Sequence, residues 1–365
     1  MSLVQQLNQK ALAHGVALSV HLDLTYRCNE RCEHCYLEHD DRGEMSTSEI
    51  RTLLSQLADA GVFFLTLSGG EPLVRNDCFE IIEYARDLQF NVKLKTNAIL
   101  IREKEAARLK TLGVQQVQIS LYSHQAEVHD AITKVQGSLE RTLAGIRVLR
   151  AQGLNVSVAN VLMKSNASDS EAVRALAGEF GAHYTLDPTI TPMIDGGTEV
   201  LRYRASAADV AGVFHNSALV GNVEEFCAPP QAVDEGILEG LPCSAGHTAC
   251  YISPYGDLYP CVQFPLPCGN VRRQSFPEIW QESPQLADVR SIRGKDLETC
   301  SACSHLGTCS RCPGLAYMEG NMRGPSSVDC EKSLFRTGIP SAAMMASGRT
   351  TRPTFRPSLV QIQLA

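Results

Sequence analysis

Residues 19–36 read SVHLDLTYRCNERCEHCY, and this stretch decides both the fold and the chemistry of the chain. In Ser19–Thr25, Val20, Leu22 and Leu24 share one face, while His21, Asp23 and Thr25 share the other. A period of two over a short run predicts a β-strand. Cys28, Cys32 and Cys35 follow at C-x3-C-x2-C spacing on a polar segment that reads as a loop. Three thiolates on one loop can hold three irons of a 4Fe–4S cluster and leave the fourth iron open. Structural zinc instead takes four ligands. His34 or His39 is at hand to supply the fourth, so spacing alone leaves both metals open.

Outward from this segment, strand-like and helix-like runs alternate. Strand patterns recur at 62–67, Asn91–Thr96, 114–121, 155–162 and 182–186. Helical patterns fall between them at 47–60, 77–89, 102–112, 137–152 and 169–180, and Ser46 with Glu49 has capping-box spacing before the first. Repeated βα units predict an α/β fold built on a parallel sheet. Lys93, Lys95 and Asn97 share a face of the third strand, and Gln116, Gln118 and Ser120 share one of the fourth. Polar inner faces and apolar outer faces predict a partial (βα)6 barrel around a cavity, in which Lys93 and Lys95 are candidates for anionic groups. A sheet with one solvated side is the alternative that the pattern permits.

Composition bounds the function. The chain has 365 residues, 44% hydrophobic and 20% charged, which is an ordinary globular mix of two or three domains. No run of eighteen apolar residues and no basic-then-apolar leader is present, so a cytoplasmic protein without a membrane span is expected. A net charge of -7 offers no basic excess for nucleic acid. The 14 cysteines are unusual in number and in placement: 79–226 holds none, while Cys243 to Cys330 holds nine. Grouping of this kind points to metal or cluster sites and away from a disulfide framework. The expected organisation is an N-terminal extension (1–18), the barrel (19–187), a connector (188–240), a cysteine-rich domain (241–335) and a mobile tail (336–365).

Together these motifs resemble the radical S-adenosylmethionine (SAM) superfamily. SGGEP at 68–72 follows the second strand, as the family's GGEP motif does. The resemblance implies that Gly69, Gly70, Glu71 and Pro72 bind the SAM amino group through backbone carbonyls and the Glu71 carboxylate. It further implies that Asn97 and Ser120 contact the ribose, and that Lys134 is the nearest cation for the SAM carboxylate. Cys28, Cys32 and Cys35 would hold the SAM-binding 4Fe–4S cluster. One electron to the sulfonium would then yield methionine and a 5′-deoxyadenosyl radical, which takes hydrogen from an unactivated substrate carbon.

The C-terminal cysteines read C-x12-G-x4-C, then C-x2-C-x5-C-x2-C, then Cys330. On spacing, zinc ribbons and iron–sulfur clusters are equally served. The pattern resembles the SPASM domain of auxiliary clusters, with short β-hairpins and helices, but has two residues between Cys309 and Cys312 where the family has three. The resemblance implies one auxiliary 4Fe–4S cluster on Cys243, Cys250, Cys261 and Cys312. A second would sit on Cys300, Cys303, Cys309 and Cys330. Cys78 reads as a buried hydrophobe, and Cys227 and Cys268 stay unassigned, with Cys227 a candidate for the substrate cleft.

Two saturated auxiliary clusters imply an oxidation that removes an electron from the substrate radical. The resemblance implies an oxidoreductase that matures a ribosomal peptide by a carbon–carbon or thioether crosslink or a similar oxidation. Tetrapyrrole side-chain chemistry and formylglycine-type maturation are the alternatives. The last has an aspartate after the cysteine matching Cys261, where this chain has Val262. Only 18 residues precede the first strand, so a separate small leader-binding partner is expected. A flavodoxin- or ferredoxin-type reductant is expected with it. A zinc-stabilised binding protein would account for the C-x2-C pairs but not for the ordered C-x3-C-x2-C, GGEP and strand-end residues.

Overall fold

The computed structural model describes residues 2–348. Helix α1 (Leu3–Ala13) precedes β1 (Ser19–Thr25), and a run of alternating elements follows. These are α2 (Thr47–Asp59), β2 (Phe64–Gly69), α3 (Cys78–Asp87), β3 (Asn91–Thr96), α4 (Glu103–Thr111) and β4 (Gln116–Ser120). Next come α5 (Ala126–Thr133), α6 (Ser138–Ala151), β5 (Val156–Val161), α7 (Ser170–Glu179) and β6 (His183–Asp187). Strands β1 to β6 run parallel, each beside the next. The α/β partial barrel expected from the sequence is thus present.

The core lies between sheet and helices. Val20, Leu22 and Leu24 of β1 are buried on the outer face. They share that core with Ile50, Leu53, Leu54 and Leu57, the apolar stripe of α2. The capping box forms as expected: Ser46 Oγ accepts from Glu49 N, and Ser46 N donates to the Glu49 carboxylate.

Two helices were not expected. Helix α1 is capped by Ser2 and Gln5 in the same S-x-x-Q/E arrangement. Helix α5 buries His129, which stacks on Tyr122.

The connector is helical in pieces: a 3-10 turn at Glu199–Tyr203, then α8 (Ala207–Phe214), α9 (Ser217–Val220), α10 (Val223–Phe226) and α11 (Glu235–Glu239). The cysteine-rich part holds β7 (Ala249–Ile252), β8 (Asp257–Tyr259), β9 (Gly269–Asn270), α12 (Phe276–Glu282), α13 (Pro284–Ser291), α14 (Pro313–Met318) and α15 (Ser327–Thr337). It forms no separate sheet. Strand β7 pairs in parallel with β1, Ser19 opposite Ala249, so the order is β6-β5-β4-β3-β2-β1-β7-β8-β9. Trp280 Nε1 of α12 donates to Gly15 O and ties this part to the start of the barrel. Part of the expected mobile tail is helical, as α16 (Ala342–Ala346); residues 349–365 of that tail lie outside the described residues.

Candidate active site

The C-terminal ends of the barrel strands open into a cavity of about 430 Å³, a size that suits a small-molecule ligand. Cys28, Cys32 and Cys35 all line it. Their loop is pinned from two sides. Arg31 N and Glu33 N donate to the carbonyls of Thr133 and Ile132 at the end of α5, and Ile194 N of the connector donates to Tyr36 O. Helix α5 therefore has a positional role, because its last carbonyls lack intrahelical partners and take the loop instead.

The glycines of SGGEP serve the same loop. Gly69 has φ +131°, and a Cβ there would sit 2.1 Å from Thr25 O. At Gly70 it would sit 2.4 Å from Arg27 O. Gly70 N donates to Thr25 O and Glu71 N to Arg27 O, so the end of β2 is zipped to the base of the cysteine loop. Their backbone also lines the cavity, together with Ser68, Asn97 and Ser120.

Glu71 and Pro72 are placed differently from the sequence expectation. Glu71 is fully buried behind the wall and does not line the cavity. Its carboxylate accepts from Thr96 Oγ1 (2.9 Å), Asn97 N (2.8 Å) and Leu73 N (3.0 Å). Burial pushes its carboxyl up to about 7, against the pull of those donors. Glu71 thus sets the position of Asn97, whose Nδ2 donates to Asn29 Oδ1 at 2.6 Å and approaches Cys28 Sγ. Pro72 is buried and opens a 3-10 turn.

Lys134 is not among the residues that line the cavity. It caps α5 in the left-handed region, φ +61°, and pairs with Glu33 at 3.3 Å, half exposed. The Lys or Arg that lines the cavity among the described residues is Lys95. Asp187, at the end of β6, lines it too and was missed. The rule that picked out Asn97 and Ser120, a polar residue at a strand end, finds it when extended to the sixth strand. Cys227 lies away from the cavity, its Sγ near His215 Nδ1 and donating to Phe214 O.

The donor set fits an iron–sulfur cluster. Burial pushes the Cys28 thiol up to about 12 and raises Cys32 and Cys35 as well, so without metal all three hold their protons. A bound cation reverses that balance, and loading would release protons. Glu30 N already donates to Cys28 Sγ at 3.4 Å, the kind of contact that tunes a thiolate ligand. His34, also on the cavity, has a buried Nδ1 with no hydrogen-bond partner among the described residues.

The C-terminal thiols form two groups. Cys300, Cys303, Cys309 and Cys330 line one small cavity. Ser333 Oγ donates to Cys309 Sγ and Ala342 N to Cys303 Sγ, which explains why α16 is ordered against them. Cys243 and Cys261 pack on the Ala245–Phe264–Val289 cluster. Cys312, pushed up to about 11 chiefly by burial, also feels Cys261. Its approach depends on Gly314, where a Cβ would meet Gln263 O at 2.1 Å. Cys250 is raised by burial and then by Cys268, which brings a fifth thiol beside this group. Among the described residues no three Cys, His, Asp or Glu side chains close on a point as ligands of a single ion do.

Comparison with known proteins agrees with this geometry. Residues 22–177 match the radical SAM superfamily, and 243–304 match an iron–sulfur cluster-binding domain of SPASM type. The AdoMet-dependent heme synthase of Methanosarcina barkeri is 32% identical, covering 81% of this chain and 90% of that protein. The chain belongs to the radical SAM superfamily. This radical SAM enzyme is also 31% identical to the mycofactocin maturase MftC of Mycobacterium ulcerans, over 81% of this chain and 83% of that one. SuiB of Streptococcus suis, solved with S-adenosylmethionine and with its precursor peptide SuiA, shares the fold. Its TM-scores are 0.72 and 0.71 at 18% identity, over 89% of this chain and 81% and 80% of SuiB. A 4Fe–4S cluster with SAM and auxiliary 4Fe–4S clusters are therefore its cofactors; when bound, the first pair supplies a 5′-deoxyadenosyl radical. No helix among the described residues is long and apolar enough to cross a membrane.

Proposed function

We propose that this radical SAM oxidoreductase modifies a ribosomally made peptide, crosslinking or oxidising its side chains. The observation that carries the reading is the open edge of the barrel. Among the described residues strand β6 ends the sheet, pairing with β5 alone, and its Thr185, Leu186 and Asp187 line the cavity. An extended peptide can pair with the free N–H and C=O groups of such an edge and put alternate side chains into the adjoining pocket. A cavity of about 430 Å³ that must also hold SAM leaves room for a side chain, not for a large rigid substrate. Similarity to a mycofactocin maturase supports the same class.

In this reading Cys28, Cys32 and Cys35 hold the SAM-binding cluster, and the backbone of Gly69 and Gly70 with Asn97 and Ser120 borders SAM. Cys243, Cys250, Cys261 and Cys312 hold one auxiliary cluster; Cys300, Cys303, Cys309 and Cys330 hold the other. A leader-binding protein and a flavodoxin or ferredoxin complete the system. Formylglycine-type chemistry is disfavoured, because the position after Cys261 does face the cavity but carries the apolar Val262. A tetrapyrrole substrate is the second reading, favoured by the heme synthase similarity.

The test is anaerobic turnover of the reconstituted protein with SAM, reductant and a candidate precursor peptide, read by mass spectrometry and by deuterium transfer into 5′-deoxyadenosine. Loss of hydrogens from the peptide is expected. Label transfer from a propionate-bearing tetrapyrrole, with none from any peptide, would overturn the peptide reading.

A further inference from the structure

The inner face of the barrel is built in rungs. Lys95 stands opposite Gln118 in the β3–β4 register, while Ser120 stands opposite Ala159, and Ala159 opposite Thr185, one rung nearer the cysteine loop. Two residues along a strand are roughly 7 Å, so Lys95 lies that far below Asn97, which approaches Cys28. Lys95 thus lines the cavity from one rung below the residues beside Cys28, Gly69 and Gly70.

The Lys95 ammonium has no hydrogen bond or ion pair among the described residues, although it lines the cavity. Two carboxylates act on it through space without pairing with it. Asp23 is fully buried, accepting from Tyr251 Oη at 2.8 Å and lying 3.1 Å from His21 Nε2. Asp187 accepts from Thr189 N at 2.9 Å. Cys261, from the cysteine-rich part, acts on it as well. Lys95 is partly buried, and part of the cost of burying a cation is recovered when a ligand brings the opposite charge.

We propose that Lys95 receives a carboxylate of the substrate in the cavity, between the cysteine loop and Cys261. The proposal rests on the peptide reading only for which molecule carries that carboxylate: an acidic side chain or a free C-terminus. Lys95 would thereby select the residue presented to the radical and fix which carbon faces it.

The probes are 3-phenylpropionate and its neutral amide, titrated calorimetrically into the reconstituted, SAM-loaded holoenzyme under anaerobic conditions. The carboxylate is expected to bind at least about tenfold tighter than the amide, the effect of one charge-assisted contact. Lys95→Met should bring that ratio to about one, and Lys95→Arg should restore most of it. Equal affinities in the wild type, no binding of either probe, or a preference that survives in Lys95→Met overturns the proposal. SAM binding that weakens about tenfold in Lys95→Met also overturns it, by assigning the ammonium to the cofactor. Should Lys95→Met fold poorly, the wild-type ratio and Lys95→Gln carry the test. A precursor peptide that is bound but never turned over would sink the peptide reading while leaving the carboxylate-to-amide ratio intact.

Discussion

Replacing Glu71 by Gln isolates the energetic position of a buried carboxylate that organises the cavity from behind. Burial lifts its carboxyl from 4.5 to about 7. The folded protein therefore holds this proton over a pH range in which the unfolded chain has lost it. Where the native state binds more protons, stability falls as pH rises. The contribution is unfavourable, grows between pH 4.5 and about 7, and is complete above that. At ~1.4 kcal/mol per pH unit, the gap amounts to about 3 kcal/mol, a large fraction of the ~5–15 kcal/mol typical of a folded domain. Glu71→Gln removes the titration but leaves an amide NH2 facing the Asn97 and Leu73 N–H groups, a mismatch of ~1–3 kcal/mol. The variant should be the weaker protein at pH 5 and should close or reverse the difference by pH 8. Urea unfolding of both proteins at pH 5, 6, 7 and 8 measures this, since other titrating groups cancel in the difference. A wild-type-minus-variant difference that stays flat across that range would refute the reasoning.

Three further outcomes follow from particular contacts. Gly69→Ala, which combines φ +131° with a Cβ 2.1 Å from Thr25 O, should cost several kcal/mol (about 3 or more) and lower Tm or solubility sharply. Cys330→Ala should remove about four irons per chain, the content of one cluster, whereas Cys78→Ala, buried at the start of α3, should leave iron content unaltered. Lys134→Gly should stabilise the protein by about 0.5–1 kcal/mol, because φ +61° suits glycine and the half-exposed pair with Glu33 contributes little; SAM affinity should not change, and a tenfold loss would restore Lys134 to the cofactor site.

Local pattern made much of this molecule legible. The strands at Ser19–Thr25 and Asn91–Thr96 fall on their expected bounds because polar and apolar residues alternate there without interruption. The cysteine loop, Asn97 and Ser120 reach the cavity because each ends a strand that points to the same mouth. What local pattern misses is direction and distance. SGGEP marks a strand-to-helix turn, yet nothing in five letters says that the Glu71 carboxylate turns back toward Thr96. Lys134 follows α5 in the chain, and nothing local says that it pairs with Glu33 of the cysteine loop. Helix α1 has a capping box but buries only Ala11, so no apolar stripe announces it. The pairing of β7 with β1 has no local signal at all.

That pairing bears on how the protein is made. Ala249 follows Ser19 by 230 positions, so during synthesis β1 leaves the ribosome long before the neighbour that will cover its outer edge. At about 5–20 residues per second the gap lasts on the order of ten seconds or more, and through it β1, paired only with β2, presents an open edge of the kind that recruits other chains. The cysteine-rich segment is thus the last wall of the barrel as well as its cluster carrier. A nascent chain stalled, cleaved or truncated before residue 249 would expose an aggregation-prone edge beside three free cysteines.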